Sequence, residues 1–460
     1  MEPFHDLLSF YGTQKPYRFE ADVYDCEIEG EIPEGLNGSL YRAGPDTQYP
    51  TMENDVIING DGMISSFRFE NGHVDFRCRY VKTARLLAER AARRRLYGKY
   101  RNPHTDQPDA PQDDRDNTGN TTAFSHNGRL FALREDSHPH EIDPQSLETL
   151  PPFDFDGALK SKTVTAHPKI DPQTGEWWGY GLFADRRFDG DMALQVADKD
   201  GRLIREEPFQ APYPGVCHDF AVTREHVIFP IMPLTVDLDR VRAGGDFYAY
   251  DENLPGMWGI MPRAGTVEDL RWFKAPNAFS GHIMNAWSDG HKVHVDATIC
   301  RGNAFPFVKT TDGRTTEQAF STVSRLTFHL DSNDDRVDVA PFPGADGEMP
   351  KCDDRFSMER YRYGYMKTRE GLARLDWDTG ELLVHAIPDA PGGVQEPIFV
   401  PRTPDAPEGD GWLLFLVHFH AENRAELRVV DAMDVTAPPV ARVKLPFNQP
   451  TAFHGCFVAA

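Results

Sequence analysis

Pro450-Thr451-Ala452-Phe453-His454-Gly455-Cys456-Phe457 lies only a few residues before Ala460. A chain end ordinarily frays. This one is an apolar run with an imidazole in it, so something must tie it down. We read it as the point where a ring closes, with His454 returned beside His167, His218 and His282 as the last ligand of a buried metal. A ring needs repeated antiparallel units, and the rest of the chain carries their signals.

Phe67-Arg-Phe-Glu-Asn-Gly-His-Val-Asp-Phe-Arg-Cys-Arg-Tyr80 alternates apolar and polar residues on both sides of Asn71-Gly72. That is a strong hairpin signal. Leu130–Leu133, His226–Phe229, Lys292–Asp296 and Trp412–His420 read as further strands. Four turns repeat one pattern, with Asp and usually Gly between apolar segments: Ile142–Ser146, Ile170–Gly175, Ala197–Arg202 and Leu375–Glu381. A repeated strand–turn–strand unit predicts an all-β fold, a β-propeller of radial antiparallel blades. Helix signal is sparse. Thr83 caps one predicted helix through Leu86, Leu87, Ala91 and Leu96, ending near Gly98. Its Arg93-Arg94-Arg95 run reads as a solvated face. Residues 101–120 and 331–350 read as long loops, which on a rigid scaffold often carry function. No interdomain linker is visible, so residues 1–460 read as one domain.

The formal net charge is -23, from 49 Lys+Arg against 72 Asp+Glu. Such a surface repels phosphate backbones, so nucleic acid is not an expected partner. Met1–Asp6 is acidic without an apolar core and does not read as a signal peptide. No run approaches the ~20 apolar residues of a membrane span. The six cysteines form no Cys-x-x-Cys pair, which fits reduced thiols in a cytoplasm. Cys217 and Cys456 read as small packing residues. A homodimer is compatible with the sequence.

Among 17 histidines, a metal needs several on one point. A single His is more often a core or surface residue. The pairs His138/His140, His291/His294 and His418/His420 compete, and the last two residues share one face of a strand, but no third partner lies nearby. His167, His218, His282 and His454 are separated by 51, 64 and 172 residues. With about 65 residues per blade in a seven-bladed ring, these gaps correspond to one, one and more than two blades. The spacing permits each blade to send one His to the axis.

The sequence resembles the carotenoid cleavage oxygenase family, and within it the bacterial lignostilbene dioxygenase and isoeugenol-cleaving branch. The resemblance rests on ordered blocks over the whole chain. They are Leu36–Pro45, Ile58–Met63, Tyr100–Pro103, Asn120–Thr122, Glu135-Asp136, Thr165–Lys169, His218–Thr223, Asn285–Trp287 and Glu396–Pro401. It implies a seven-bladed β-propeller, with long loops and a few short helices capping the active-site face. It implies a ferrous ion, Fe(2+), held by His167, His218, His282 and His454. Glu135, Glu348 and Glu396 are implied as a surrounding layer of carboxylates, each accepting the second N–H of a ligating imidazole. Thr121 matches the residue whose methyl crowds an open position for O2.

The implied activity is non-haem iron dioxygenase chemistry: O2 cleaves the C=C bond of a phenolic aryl alkene, lignostilbene-like, to two aldehydes. The alternatives are an isoeugenol-like propenyl or vinyl phenol, an apocarotenoid, or a propeller that binds a ligand without chemistry. In that branch a Tyr and a Lys contact the phenol oxygen. Tyr100 stands at the Tyr position, but Arg134 replaces the Lys, a change of shape as well as of donor pattern. Replacing Arg134 with Lys is therefore expected to raise turnover of 4-hydroxystilbenes. Gly281 is expected to widen the substrate cavity or admit its backbone, with Ile57 and Ile58 as further lining residues.

Overall fold

The computed structural model describes residues 3–9, 12–53, 55–305 and 307–460, and of 8–9 and 12–14 only the backbone. Met1 and Glu2, part of the N-terminal stretch read above, lie outside the described residues.

The predicted hairpin forms as read. Strands Gly62–Glu70 and His73–Tyr80 pair across a turn in which Asn71 (φ 53°) and Gly72 (φ 85°) are both left-handed. That two-residue turn matches the natural twist of its strands. All four Asp-containing turns also join paired strands. In one, Asp143 Oδ1 accepts from the backbone N–H groups of Gln145 and Ser146. Asp376 does the same for Asp378 and Thr379.

Among the described residues seven antiparallel blades result, the first two joined in one nine-stranded sheet, with the small hairpin Leu7–Ser9/Gly12–Gln14 apart from them. The first blade holds His454–Ala459, Gly38–Pro45, Gly62–Glu70, His73–Tyr80 and Ala21–Val23. Innermost strands of the next six are Thr122–His126, Lys169–Ile170, Gly215–Val216 with Ala221–Val222, Phe279–Asp289, Glu348–Cys352 and Ile398–Pro401. Each blade then steps outward along the chain. An apolar cluster fills every junction between neighbouring blades. Ile64 shares a cluster with Ala123, the Phe131 ring meets Trp177, and the Tyr180 ring meets Phe229. Further round, Ile228 shares a cluster with Val293, Met284 with Met366, Tyr365 with Phe415, and Leu414 with Phe67. The last pair joins the seventh blade to the first, so the architecture is a closed seven-bladed propeller. Each fully buried Phe or Leu in these seams contributes about 2–3 kcal/mol.

The closure uses both ends of the described chain. Glu27–Gly30 adds an outer strand to the seventh blade against Ala441–Leu445. His454–Ala459 pairs antiparallel with Gly38–Pro45, and His454 bridges in parallel to Thr122 of the second blade. The backbone N–H of His454 donates to Thr121 O at 3.2 Å.

Two local expectations are corrected. The helix spans Ala84–Ala92, capped by Thr83 Oγ1, which accepts from Leu86 N at 3.2 Å. It stops at Arg93, whose left-handed backbone (φ 54°) ends it before Gly98. Residues 331–350 are not a loop: Val337–Asp346 is a strand and Glu348–Cys352 begins the next sheet. No helix among the described residues is long and apolar enough to cross a membrane.

Candidate metal centre

The innermost strands begin at the axis, and the favoured histidines stand at or beside those beginnings. His167 precedes Lys169–Ile170, and His218 sits between Gly215–Val216 and Ala221–Val222. His282 lies early in Phe279–Asp289, and His454 opens His454–Ala459. Their ligand nitrogens all lie within 4.8 Å of one another. His167 Nε2 is 3.2 Å from His218 Nε2, which is 3.3 Å from His282 Nε2. The ring of His454 is centred 4.5 Å from that of His167.

Three of the four imidazoles are oriented from behind. His218 Nδ1 donates to Glu135 Oε2, His282 Nδ1 to Glu348 Oε2 and His454 Nδ1 to Glu396 Oε1, each at 2.8 Å. A carboxylate at Nδ1 fixes the proton there and leaves Nε2 as a lone pair. The lone pairs of His218 and His282, 3.3 Å apart, repel unless a cation stands between them. The donor set therefore fits a metal ion. Burial pushes His454 down to about 3 against the pull of Glu396, and lowers His167 well below the usual range, so both are neutral imidazoles. For His218, burial lowers and Glu135 raises, with a net rise. Glu348 would be raised by burial, but hydrogen bonds from His282 and Ser321 hold it at about 2.

The carboxylates are themselves held. Glu396 accepts from Arg42 Nη1 at 3.0 Å and Gly455 N at 3.1 Å, with Lys351 Nζ at 3.3 Å. Glu348 accepts from Ser321 Oγ at 2.7 Å and Thr298 Oγ1 at 3.1 Å. Arg101 Nη2 stands 3.9 Å from Glu135 Oε1, and its Nε donates to Asp136 at 2.7 Å. Sequence reading missed Arg42, Lys351, Thr298, Ser321 and Arg101 in these roles. Arg42 carried one signal, a charge between Tyr41 and Ala43 in an apolar strand that proves fully buried. The competing histidines have other work. His138 Nε2 is paired with Ser161 O at 2.9 Å, His294 stacks on Trp287, and His418 Nε2 is paired with Gln395.

Thr121 is buried, its hydroxyl on Asn120 Oδ1 at 3.1 Å. Tyr100 is half-buried, with Arg134 Cζ 5.2 Å and Arg101 Cζ 5.3 Å from its ring centre. Arg134 is buried and heavily engaged. Its Nη1 donates to Ile58 O (2.6 Å), Thr118 Oγ1 (2.6 Å) and Asn120 Oδ1 (3.0 Å), and its Nε to Asp136 (3.1 Å). Ile57 is buried in the short turn Ile57–Asn59, and Ile58 contributes its carbonyl to Arg134. Gly281 does not open space: on its side-chain face stand Glu348 Oε1 and Thr298 Oγ1.

Residues 14–459 match the family model described as retinal pigment epithelial membrane protein (RPE65). The chain is 41% identical to isoeugenol monooxygenase of Pseudomonas nitroreducens, over 97% of each chain. It is 37% identical to lignostilbene-alpha,beta-dioxygenase isozyme III of Sphingomonas paucimobilis, covering 99% of this chain and 98% of the relative. The crystal structure of Pseudomonas brassicacearum lignostilbene dioxygenase superposes with a TM-score of 0.94 at 39% identity, over 97% of each chain. With a closed propeller, four converging imidazoles and these likenesses over nearly its whole length, the chain belongs to the RPE65 family, the carotenoid cleavage oxygenases.

Proposed function

We propose that this protein is a non-haem Fe(2+) dioxygenase that cleaves the C=C bond of a phenolic aryl alkene with O2, giving two aldehydes. The observation that carries the reading is the convergence of four imidazole nitrogens, three of them from rings whose outer N–H is held by a carboxylate. Four neutral ligands leave a dication its full charge, unlike sites in which a carboxylate ligand cancels part of it. A ferrous ion there would supply the activation of O2 that the C=C cleavage requires.

The chain's own groups do the rest. Glu135, Glu348 and Glu396 keep three Nε2 lone pairs aimed inward, and Thr121 narrows the adjoining space. Tyr100 and Arg134 are the groups we assign to the aryl oxygen. Burial pushes the Tyr100 hydroxyl up to about 12, opposed by Arg101 and Arg134, so it stays a donor. The two guanidinium charges favour an ionised phenol, and ionisation pushes electron density through the ring onto the alkene. Arg134 Nη1 and Nε are committed to protein acceptors, which leaves Nη2 for the substrate.

An isoeugenol-like propenyl phenol is the second reading, favoured by the 41% identity to an isoeugenol monooxygenase. Both readings are tested by reconstituting the protein with ferrous ion, offering a hydroxystilbene and isoeugenol separately, and identifying aldehydes by mass spectrometry. Aldehyde from either supports the enzyme and ranks the substrates. A protein that binds no ferrous ion and yields no aldehyde is a ligand-binding propeller instead.

A further inference from the structure

Three of the four histidines have a carboxylate at Nδ1; among the described residues, His167 has none. What fixes its segment is different. Lys169, two residues on, places Nζ 2.7 Å from Asp219 Oδ1. Asp219 directly follows His218 and is almost fully buried. Its Oδ1 also accepts from Phe220 N at 2.8 Å, and its Oδ2 accepts from Ile283 N at 2.8 Å. Ile283 directly follows His282. One carboxylate therefore touches the segments of three ligands, on the third, fourth and fifth blades.

We propose that Asp219 is a positioning residue for the metal, a fourth carboxylate that acts through Lys169 on the histidine without one of its own. The inference rests on the metal reading above. Its physical basis is geometric. His167 and His218 must present nitrogens 3.2 Å apart, and His218 and His282 nitrogens 3.3 Å apart. These separations are between blades, so no single blade sets them. A charged carboxylate with one ammonium and two backbone N–H partners constrains them at the depth of the ligands, because charge-assisted bonds are short and directional. Lys169 Nζ also lies 6.0 Å from the Phe220 ring centre.

The test is anaerobic titration of metal-free protein with ferrous ion, for the unaltered chain, Asp219→Asn, Lys169→Met and the double variant. Asp219→Asn keeps the shape and loses the charge. It is expected to weaken ferrous binding ~10–100-fold, the cost of removing a partner behind a ligand. Lys169→Met is expected to weaken it in the same direction. The double variant is expected to bind no worse than Asp219→Asn, because the two act as one unit. A merely structural role would lower the melting temperature of the metal-free protein and leave the ferrous dissociation constant unchanged, which would overturn the inference. Additive losses in the double variant would overturn the part assigned to Lys169. If Asp219→Asn does not fold, Lys169→Met alone decides: an unchanged dissociation constant overturns the proposal. If the unaltered chain binds no ferrous ion, the metal reading itself fails, a result distinct from any of these.

Discussion

Gly281 has no side chain where Glu348 needs to put its carboxylate. A Cβ at 281 would stand 2.4 Å from Glu348 Oε1 and 2.7 Å from Thr298 Oγ1. Neither distance is tolerable for a carbon. The glycine thus serves the group behind His282, its immediate neighbour. Gly281→Ala is expected to swing Glu348 off His282 Nδ1 and weaken metal binding ~10-fold or more, with a loss of about 1–3 kcal/mol in stability from overpacking. Metal titration and thermal melting of the variant check both.

Arg134→Lys is a stability change before it is a substrate change. One guanidinium nitrogen serves Ile58 O, Thr118 Oγ1 and Asn120 Oδ1, while Nε holds Asp136. An ammonium cannot span that set, and buried acceptors left without donors cost about 1–3 kcal/mol each. We expect a lower melting temperature and no gain in 4-hydroxystilbene turnover. A more active, equally stable Lys variant would restore the expectation drawn from sequence and show that the hydrogen bonds of Arg134 are dispensable.

Tyr100 remains protonated at every pH used for assay, because its hydroxyl is pushed up to about 12 by burial, against the pull of Arg101 and Arg134. Any alkaline limb in the rate therefore belongs to another group. Tyr100→Phe should raise KM for a phenolic alkene ~10-fold, the value of one hydrogen bond to a charged oxygen, and leave the pH of that limb in place. Steady-state kinetics from about pH 6 to 10, reaching up to the ~10 at which a free phenol ionises, measure both.

Asp171 staples the third blade to the fourth. Its carboxylate takes Arg224 Nη1 and, at 2.8 Å, Arg263 Nη2, besides Gln173 N at 2.9 Å. Burial would raise it, but these hydrogen bonds win and hold it at about 2. A depressed carboxyl contributes stability that is full above about pH 4, its unfolded value, and is lost as pH falls through about 2. Asp171→Asn should cost about 1–3 kcal/mol at neutral pH by removing the charged acceptor between two guanidinium groups, which keep, among the described carboxylates, only Glu359 (for Arg224) and Glu176 (for Arg263). The gap between the melting curves of the two proteins should shrink as the pH is lowered from 4 toward 2.

The ring and its four converging imidazoles are legible because their signals are local. A hairpin announces itself in Asn71-Gly72, and His454 stands out because an imidazole in an apolar run near the last residue is hard to explain otherwise. What escaped reading was of two kinds. Ion pairs such as Arg42–Glu396 and Lys169–Asp219 join residues far apart in the chain. No local pattern encodes them. The second kind is composition that misleads. Residues 331–350 look like a loop because they hold Pro341, Pro343 and several Asp, yet Val337–Asp346 is the outer strand of its sheet. An outer strand tolerates proline because one row of its N–H groups has no partner to lose. The helix after Thr83 was overextended for a related reason: Arg93 takes the left-handed turn usually left to glycine.

The order in which the four imidazoles are made has a consequence for biosynthesis. His167, His218 and His282 leave the ribosome long before His454, and the strand His454–Ala459 that seals the circle is also the one that brings the last ligand. A nascent chain can hold at most three of the four, in an arc with a gap where the seam should be. If the ion proposed above is held by all four imidazoles, the full set is complete only once the circle is sealed. Deleting that strand is expected to cost both the set and the seal at once.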